Sequence, residues 1–285
     1  GWENGTDKGH ENYYFTQPDH PLICGGKAGI GGGHPAELIS RLSALQITSD
    51  FIAIPHHTNS VAETRKTEDN TPVWGAYRWP SPQDYLRLVE IMQTRGNQER
   101  DQYPEGWRGW HQNNGSSVQD ALAKGHRVGF TGGTDNHCGW PGRAYGECEG
   151  GNIHSPKSVI LTGLWTPRVE RPAAFSALKA RHTWAIWDTR ALVHFTVNHA
   201  LAGDELVVKK GTPLLARIRL SAEDSLQTLE LVSEHKTVWQ CSSSKLDVDI
   251  EAPLGPAKTN THFYLRALQR DGGLIYASPV FIRIK

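Results

Sequence analysis

Residues 127–143 read RVGFTGGTDNHCGWPGR. A short apolar run, Val128-Gly129-Phe130, breaks at Gly132-Gly133 and is followed by Asp135 and His137, two residues apart. In an extended segment residues i and i+2 lie on the same side, so the triplet aims a carboxylate and an imidazole at one point. Both side chains bind divalent metals such as zinc. A polar loop whose Asp and His bond only to backbone explains the triplet equally well when it is taken alone, because short motifs carry false positives. A second element upstream tips the balance. Residues 50–55, DFIAIP, form the continuous apolar run expected of a strand covered on both faces, and His56 and His57 follow at once. Adjacent side chains diverge on extended backbone, so one of these two is expected to face a metal and the other to meet substrate or supporting groups.

The segments around these two strands complete a pattern. Residues 35–46, PAELISRLSALQ, have Pro35 at a helix start and apolar residues at helical spacing. Residues 86–92 lean towards strand. Ser117-Val118-Gln119-Asp120 is a capping box that opens a short helix to Lys124, with Gly125 as its stop. Helix, strand, helix, strand is the signature of an α/β fold with a parallel sheet, in which active residues sit at the carboxyl ends of strands. A further strand over 158–164 and a helix over 172–181 extend it. From about residue 191 the texture changes to short alternating runs at 205–208, 214–220, 228–232, 237–240, 246–250, 262–268 and 280–284, separated by turns such as Asp271-Gly272-Gly273. That is a β-sandwich pattern. The expected organisation is a catalytic domain over 1–190 and a β-sandwich domain over 191–285.

Composition narrows the function. Thirty Lys and Arg balance thirty Asp and Glu, so no overall charge favours nucleic acid or an acidic membrane. No run approaches the roughly twenty apolar residues of a membrane span. Four Cys, at 24, 138, 148 and 241, show no C-x-x-C spacing, which argues against a zinc ribbon or a disulfide framework. Fourteen His favour metal or acid–base chemistry, and the Trp residues favour aromatic-lined pockets, the long Trp-bearing loop over 94–115 among them.

Several stretches together resemble the PHP-type metallohydrolases, and most closely their bacterial DUF3604 branch. They are GWEN…GHENYYF at the start, IPHHT, LVEIMQTRGNQE, VQDALAKGHRVGFTGGTDNHCGWPGR, ALKARHTWAIWDTRALVHFTVN and LRALQRDGGLIYASPVFI. The resemblance implies an incomplete PHP-like (β/α)7 barrel holding two or three divalent ions, with zinc, manganese and iron all suitable. It implies that Glu3 bridges metals, that His10 and His56 or His57 are ligands, and that Asp135 and His137 close the set. Such enzymes begin with an H-x-H strand, which this chain lacks. The resemblance therefore implies a cleaved segment or a partner chain that supplies the H-x-H part.

The expected activity is metal-dependent hydrolysis of a phosphoester, or of another ester or amide, by a metal-bound hydroxide. Asp135 doubles as the base that accepts the water's proton. Arg143, six residues past His137, is placed to bind an anionic small-molecule substrate, although a surface Arg in a turn accounts for it equally well. The rival expectation is a non-catalytic subunit whose Trp-rich loops and β-sandwich recognise a glycan or a protein.

Overall fold

The computed structural model describes residues 1–6, 9–16, 51–59, 77–94, 96–109, 115–135 and 159–285. The expected helix over 35–46, the glycine-rich loop before it, His137, Cys138 and Arg143 lie outside the described residues.

Strands β1 (Trp2–Thr6), β2 (Gly9–Phe15) and β3 (Phe51–His56) form an antiparallel three-stranded sheet in that order. Alternation along β2 sorts its side chains. Glu11, Tyr13 and Phe15 turn to the buried face, while His10, Asn12 and Tyr14 turn to the other. Glu11 is fully buried and accepts hydrogen bonds from the Tyr13 and Tyr77 hydroxyls. Burial pushes its carboxyl above the usual range, and the two hydroxyl donors and the nearby His56 only partly oppose that.

Strands β4 (Leu88–Gln93), β5 (Gly96–Asn97) and β6 (Gly129–Gly133) make a second small sheet, ordered β5-β4-β6. β4 and β6 run parallel, and the crossover between them contains helix α1 (Val118–Ala123). The capping box read from the sequence is present. Ser117 Oγ accepts from the Asp120 amide at 3.2 Å, and Asp120 Oδ2 accepts from the Ser117 amide at 3.0 Å. Gly125 ends the helical segment with φ of +88°, which glycine adopts without strain. A backbone bond from the Ala53 amide to the Tyr85 carbonyl, 3.0 Å, joins this part to β3.

The remainder is two sheets built almost wholly from the second half of the chain. After β7 (Ile160–Leu164), helix α2 (Arg171–Lys179) and β8 (Thr183–Trp187) come β9 (Leu192–Val197), β10 (Ala200–Leu201), β11 (Glu205–Val208) and β12 (Pro213–Ser221). Then follow β13 (Leu226–Ser233), β14 (Lys236–Ser243), β15 (Asp247–Pro256), β16 (Thr261–Gln269) and β17 (Leu274–Ile284). One sheet is ordered β10-β9-β12-β15. The other is ordered β14-β13-β16-β17-β8-β7, with β11 added beside β17. β7 and β8 thus share a sheet with strands from residues 226–284.

Period two decides which side chains meet. β12 buries Leu214, Ala216, Ile218 and Leu220 and exposes or half-exposes the residues between them. These pack with Leu229, Leu231, Leu265 and Ile275 of the other sheet in one apolar cluster. Each fully buried Leu or Ile contributes about 1.5–3 kcal/mol by leaving water.

A second cluster joins this part to the small β5-β4-β6 sheet through Ile91, Phe130, Tyr264, Tyr276 and Trp107. Trp107, expected in a binding loop, is buried there. A polar network runs through it. The buried Glu99 accepts from Tyr264 Oη at 2.5 Å, Arg266 Nη1 at 2.6 Å and Tyr276 Oη at 3.0 Å, and Arg266 Nε also reaches Glu230 Oε2 at 2.5 Å. Burial alone would lower the Arg266 pKa. Glu99 first, then the tyrosines and Glu230, hold it above the usual range.

The expected (β/α)7 barrel, a TIM-like architecture, is overturned. Among the described residues there are seventeen strands and two short helices in four separate sheets, and only β4–β6 and β11–β17 pair in parallel as strands. The alternation of helix and strand holds at α1 and β6. It fails at β3, whose ladder is antiparallel to β2, and at β7 and β8, which pair antiparallel across α2. No helix among the described residues is long and apolar enough to cross a membrane.

Candidate metal centre

Five of the expected ligands converge where the two small sheets meet. Register explains the first three. Gly5 of β1 lies opposite His10 of β2, which lies opposite His56 of β3. Directly opposed residues share a face, with Cβ atoms about 4.5–5.5 Å apart. Glu3 is two residues from Gly5 and so points the same way. The His10 ring lies flat over Gly5, where an added Cβ would come within 2.8 Å of Cε1. That passage lets His10 Nδ1 reach Glu3 Oε1 at 2.9 Å, while His56 Nε2 approaches the same oxygen at 3.3 Å.

His57 joins them through its backbone. Its φ is +36°, so the strand ends there and the side chain does not diverge from that of His56 as it would in extended chain. The His57 ring centroid is 4.5 Å from those of both His10 and His56. Potential ligand atoms of His10, His56 and His57 all lie within 4.8 Å of one another. The expectation that only one of the adjacent pair faces the cluster assumed extended backbone at His57, and that backbone is left-handed.

Asp135 arrives from the other sheet. It follows β6 with φ of +50°, and Thr94 Oγ1 ties down the preceding turn by donating to the Thr134 carbonyl at 2.8 Å. Ligand atoms of Glu3, His56 and Asp135 also lie within 4.8 Å of one another, so His56 belongs to both groups. Two non-glycine ligands in left-handed backbone cost of order 1–3 kcal/mol each. Such strain concentrates at functional sites.

The residues present fit a divalent ion. His56 is 2% exposed, and its Nδ1 has no hydrogen-bond partner among the described residues. Three imidazoles and two carboxylates form the mixed nitrogen and oxygen set that zinc, manganese and iron accept. Ligand bonds of about 2.0–2.2 Å place donors within the observed spread. Burial pushes the Glu3 carboxyl up, but the hydrogen bonds and positive charge of His10 and His56 together outweigh it and hold Glu3 well below the usual carboxylate range. Glu3 is thus an anion ready to bridge.

Sequence reasoning passed over Glu90. It sits in the fully buried strand β4, 7% exposed, and its Oε1 accepts from Gln93 Nε2 at 3.0 Å. Its other carboxylate oxygen lies against Gly133, so closely that no side chain fits there, and Gly133 is two residues from Asp135. The signal was a lone acid inside an otherwise apolar strand, LVEIM. His137 and Arg143 fall outside the described residues. No protein-family model, curated protein or solved structure matches this chain.

Proposed function

We propose that this chain is a metal-dependent hydrolase of the PHP type, without that family's barrel, acting on a phosphoester or on another ester or amide. The convergence of Glu3, His10, His56, His57 and Asp135 from two sheets supports it, with the orphaned, buried His56 Nδ1 as the most telling single atom. Zinc, manganese or iron, as two or three ions, would supply Lewis acidity and a water of lowered pKa. Glu3, His10, His56 and His57 would hold the ions, the carboxylate through its oxygens and the imidazoles through ring nitrogens. Asp135 would serve there as the general base, its orientation set by left-handed backbone. His137 completes the D-x-H pair and Arg143 takes an anionic substrate group.

Elemental analysis of purified protein tests this assignment separately from turnover. The wild type retains a transition metal through dialysis, and Asp135→Asn and His56→Ala do not. Bis(p-nitrophenyl) phosphate and p-nitrophenyl esters then report hydrolysis, which a chelator removes and added metal restores. Equal metal content in wild type and both variants would sink the assignment.

A further inference from the structure

The open face of the β10-β9-β12-β15 sheet carries a groove that the metal chemistry does not use. It has a volume of about 410 Å³ and lies between Trp165 and the outward residues of β9, β12 and β15. Three features define it.

The first is a fixed aromatic wall. Trp165 follows β7 and crosses from the larger sheet to the edge of the smaller one. Its Nε1 donates to the Val193 carbonyl of β9 at 2.7 Å, and its amide donates to the His182 carbonyl at 2.9 Å. Trp184 packs beside the indole at 5.5 Å between ring centroids. Even so, Trp165 remains 37% exposed, with the 58% exposed Leu192 beside it.

The second is a polar floor. Arg219 lies opposite His194 on one side and opposite Asp249 on the other. Arg217 grips Asp249 with two bonds of 3.0 and 2.9 Å, and Arg219 Nε donates to the same carboxylate at 3.3 Å. One row along, Ser221 Oγ donates to Asp247 Oδ1 at 2.5 Å. Of these charged residues Arg219, Asp247 and Asp249 line the groove, so it carries no excess of positive charge.

The third is an unsatisfied imidazole. His194 Nδ1 is buried without a partner, and the ring meets Trp165 edge to face at 5.7 Å. An unmade bond on a buried polar atom is costly.

The geometry points to a binding site for a neutral oligosaccharide on this sheet, independent of the metal centre. A sugar ring has an apolar face of C–H groups and a rim of hydroxyls. The partly negative face of a Trp indole receives the first. The Arg219–Asp249 pair, with its donors and acceptors, receives vicinal hydroxyls of the second. The lack of excess positive charge selects against acidic glycans. Size selects against a protein partner, because the groove matches the roughly 300–1,000 Å³ of a small-ligand site, whereas a stable protein interface covers about 800 Å² on each side.

Titration of the intact chain with cellohexaose, xylohexaose, maltohexaose and mannohexaose tests the site, followed by Trp fluorescence and saturation-transfer NMR. A galacturonic acid hexamer serves as the acidic comparison. At least one neutral hexamer binds, and Trp165→Ala and Arg219→Ala each weaken it roughly tenfold or more, in line with anchor residues in a binding pocket. Arg219 is exposed, so Arg219→Ala keeps the wild-type melting temperature even if Trp165→Ala unfolds the edge. Asp135→Asn binds the sugar like the wild type, which separates this site from the metal assignment. The inference is overturned if no neutral hexamer binds, if Arg219→Ala binds it undiminished, or if only the acidic hexamer binds.

Discussion

The chain holds two kinds of order. Between β9 and β17 the strands β9 and β12 alternate buried with less buried side chains, while β16 and β17 are buried along nearly their whole length. Around β1–β3 and the end of β6 the rules loosen. Histidines are buried, Glu11 is enclosed by tyrosines, and His57 and Asp135 occupy left-handed backbone. The larger sheets owe their order to packing between layers. The smaller sheets put left-handed backbone and buried imidazoles on the side chains that could hold a metal.

Substitutions at either region sharpen this contrast. The largest effect is expected from His56→Ala. Metal retention is lost and hydrolysis falls about a thousandfold, within the range of lost acid–base or metal-ligand function. Elemental analysis and initial rates on the same preparation measure the two losses.

Glu99→Gln comes next. It leaves Arg266 buried with Glu230 as its remaining carboxylate, and loss of a buried partner costs about 3–5 kcal/mol. Chemical denaturation measures it. Ile218→Ala, in the middle of β12, costs about 2–5 kcal/mol by cavity formation. Metal content in that variant stays at the wild-type value.

Ser117→Ala removes the α1 cap and costs about 1 kcal/mol, seen as a small shift of the denaturation midpoint. The smallest effect is one of pH. Burial lowers the His126 pKa, the Pro80 carbonyl partly opposes this, and Lys124 adds to the lowering. The unfolded state then binds a proton that the folded state refuses. Stability is full above about pH 6.5, the free imidazole value, and declines as pH falls from there towards the folded pKa. In His126→Gln this part of the acid decline disappears, which denaturation curves at pH 5 and pH 7.5 detect.

Much of the larger sheets was legible in advance. The runs 214–220 and 262–268 fall on β12 and β16, of which only β12 alternates, and the Ser117 capping box located α1. Asp135 of the D-x-H triplet and the paired histidines come together in the structure. What the residues could not show was which strands pair. An apolar run such as FIAIP suits a parallel barrel strand and an antiparallel one alike, since both are buried on two faces. The choice is made by GHENYYF, which supplies an antiparallel neighbour through long-range register. Nor does composition announce a positive φ at His57, because nothing local to IPHHT demands one. Glu90 and Glu99 were hidden for a related reason. A buried acid is identified by its partners, and those of Glu99 are more than 160 positions away, at Tyr264 and Arg266.

The left-handed residues beside the cluster have a practical consequence for laboratory evolution. Glycine at position 57 or 135 relaxes the backbone, and loop relaxation of this kind is worth about 1 kcal/mol or more. A library selected only for heat tolerance should therefore enrich His57→Gly and Asp135→Gly. The survivors would melt later and hold less metal. Reading which histidine and aspartate codons such a selection erases would map the centre without any assay for its substrate.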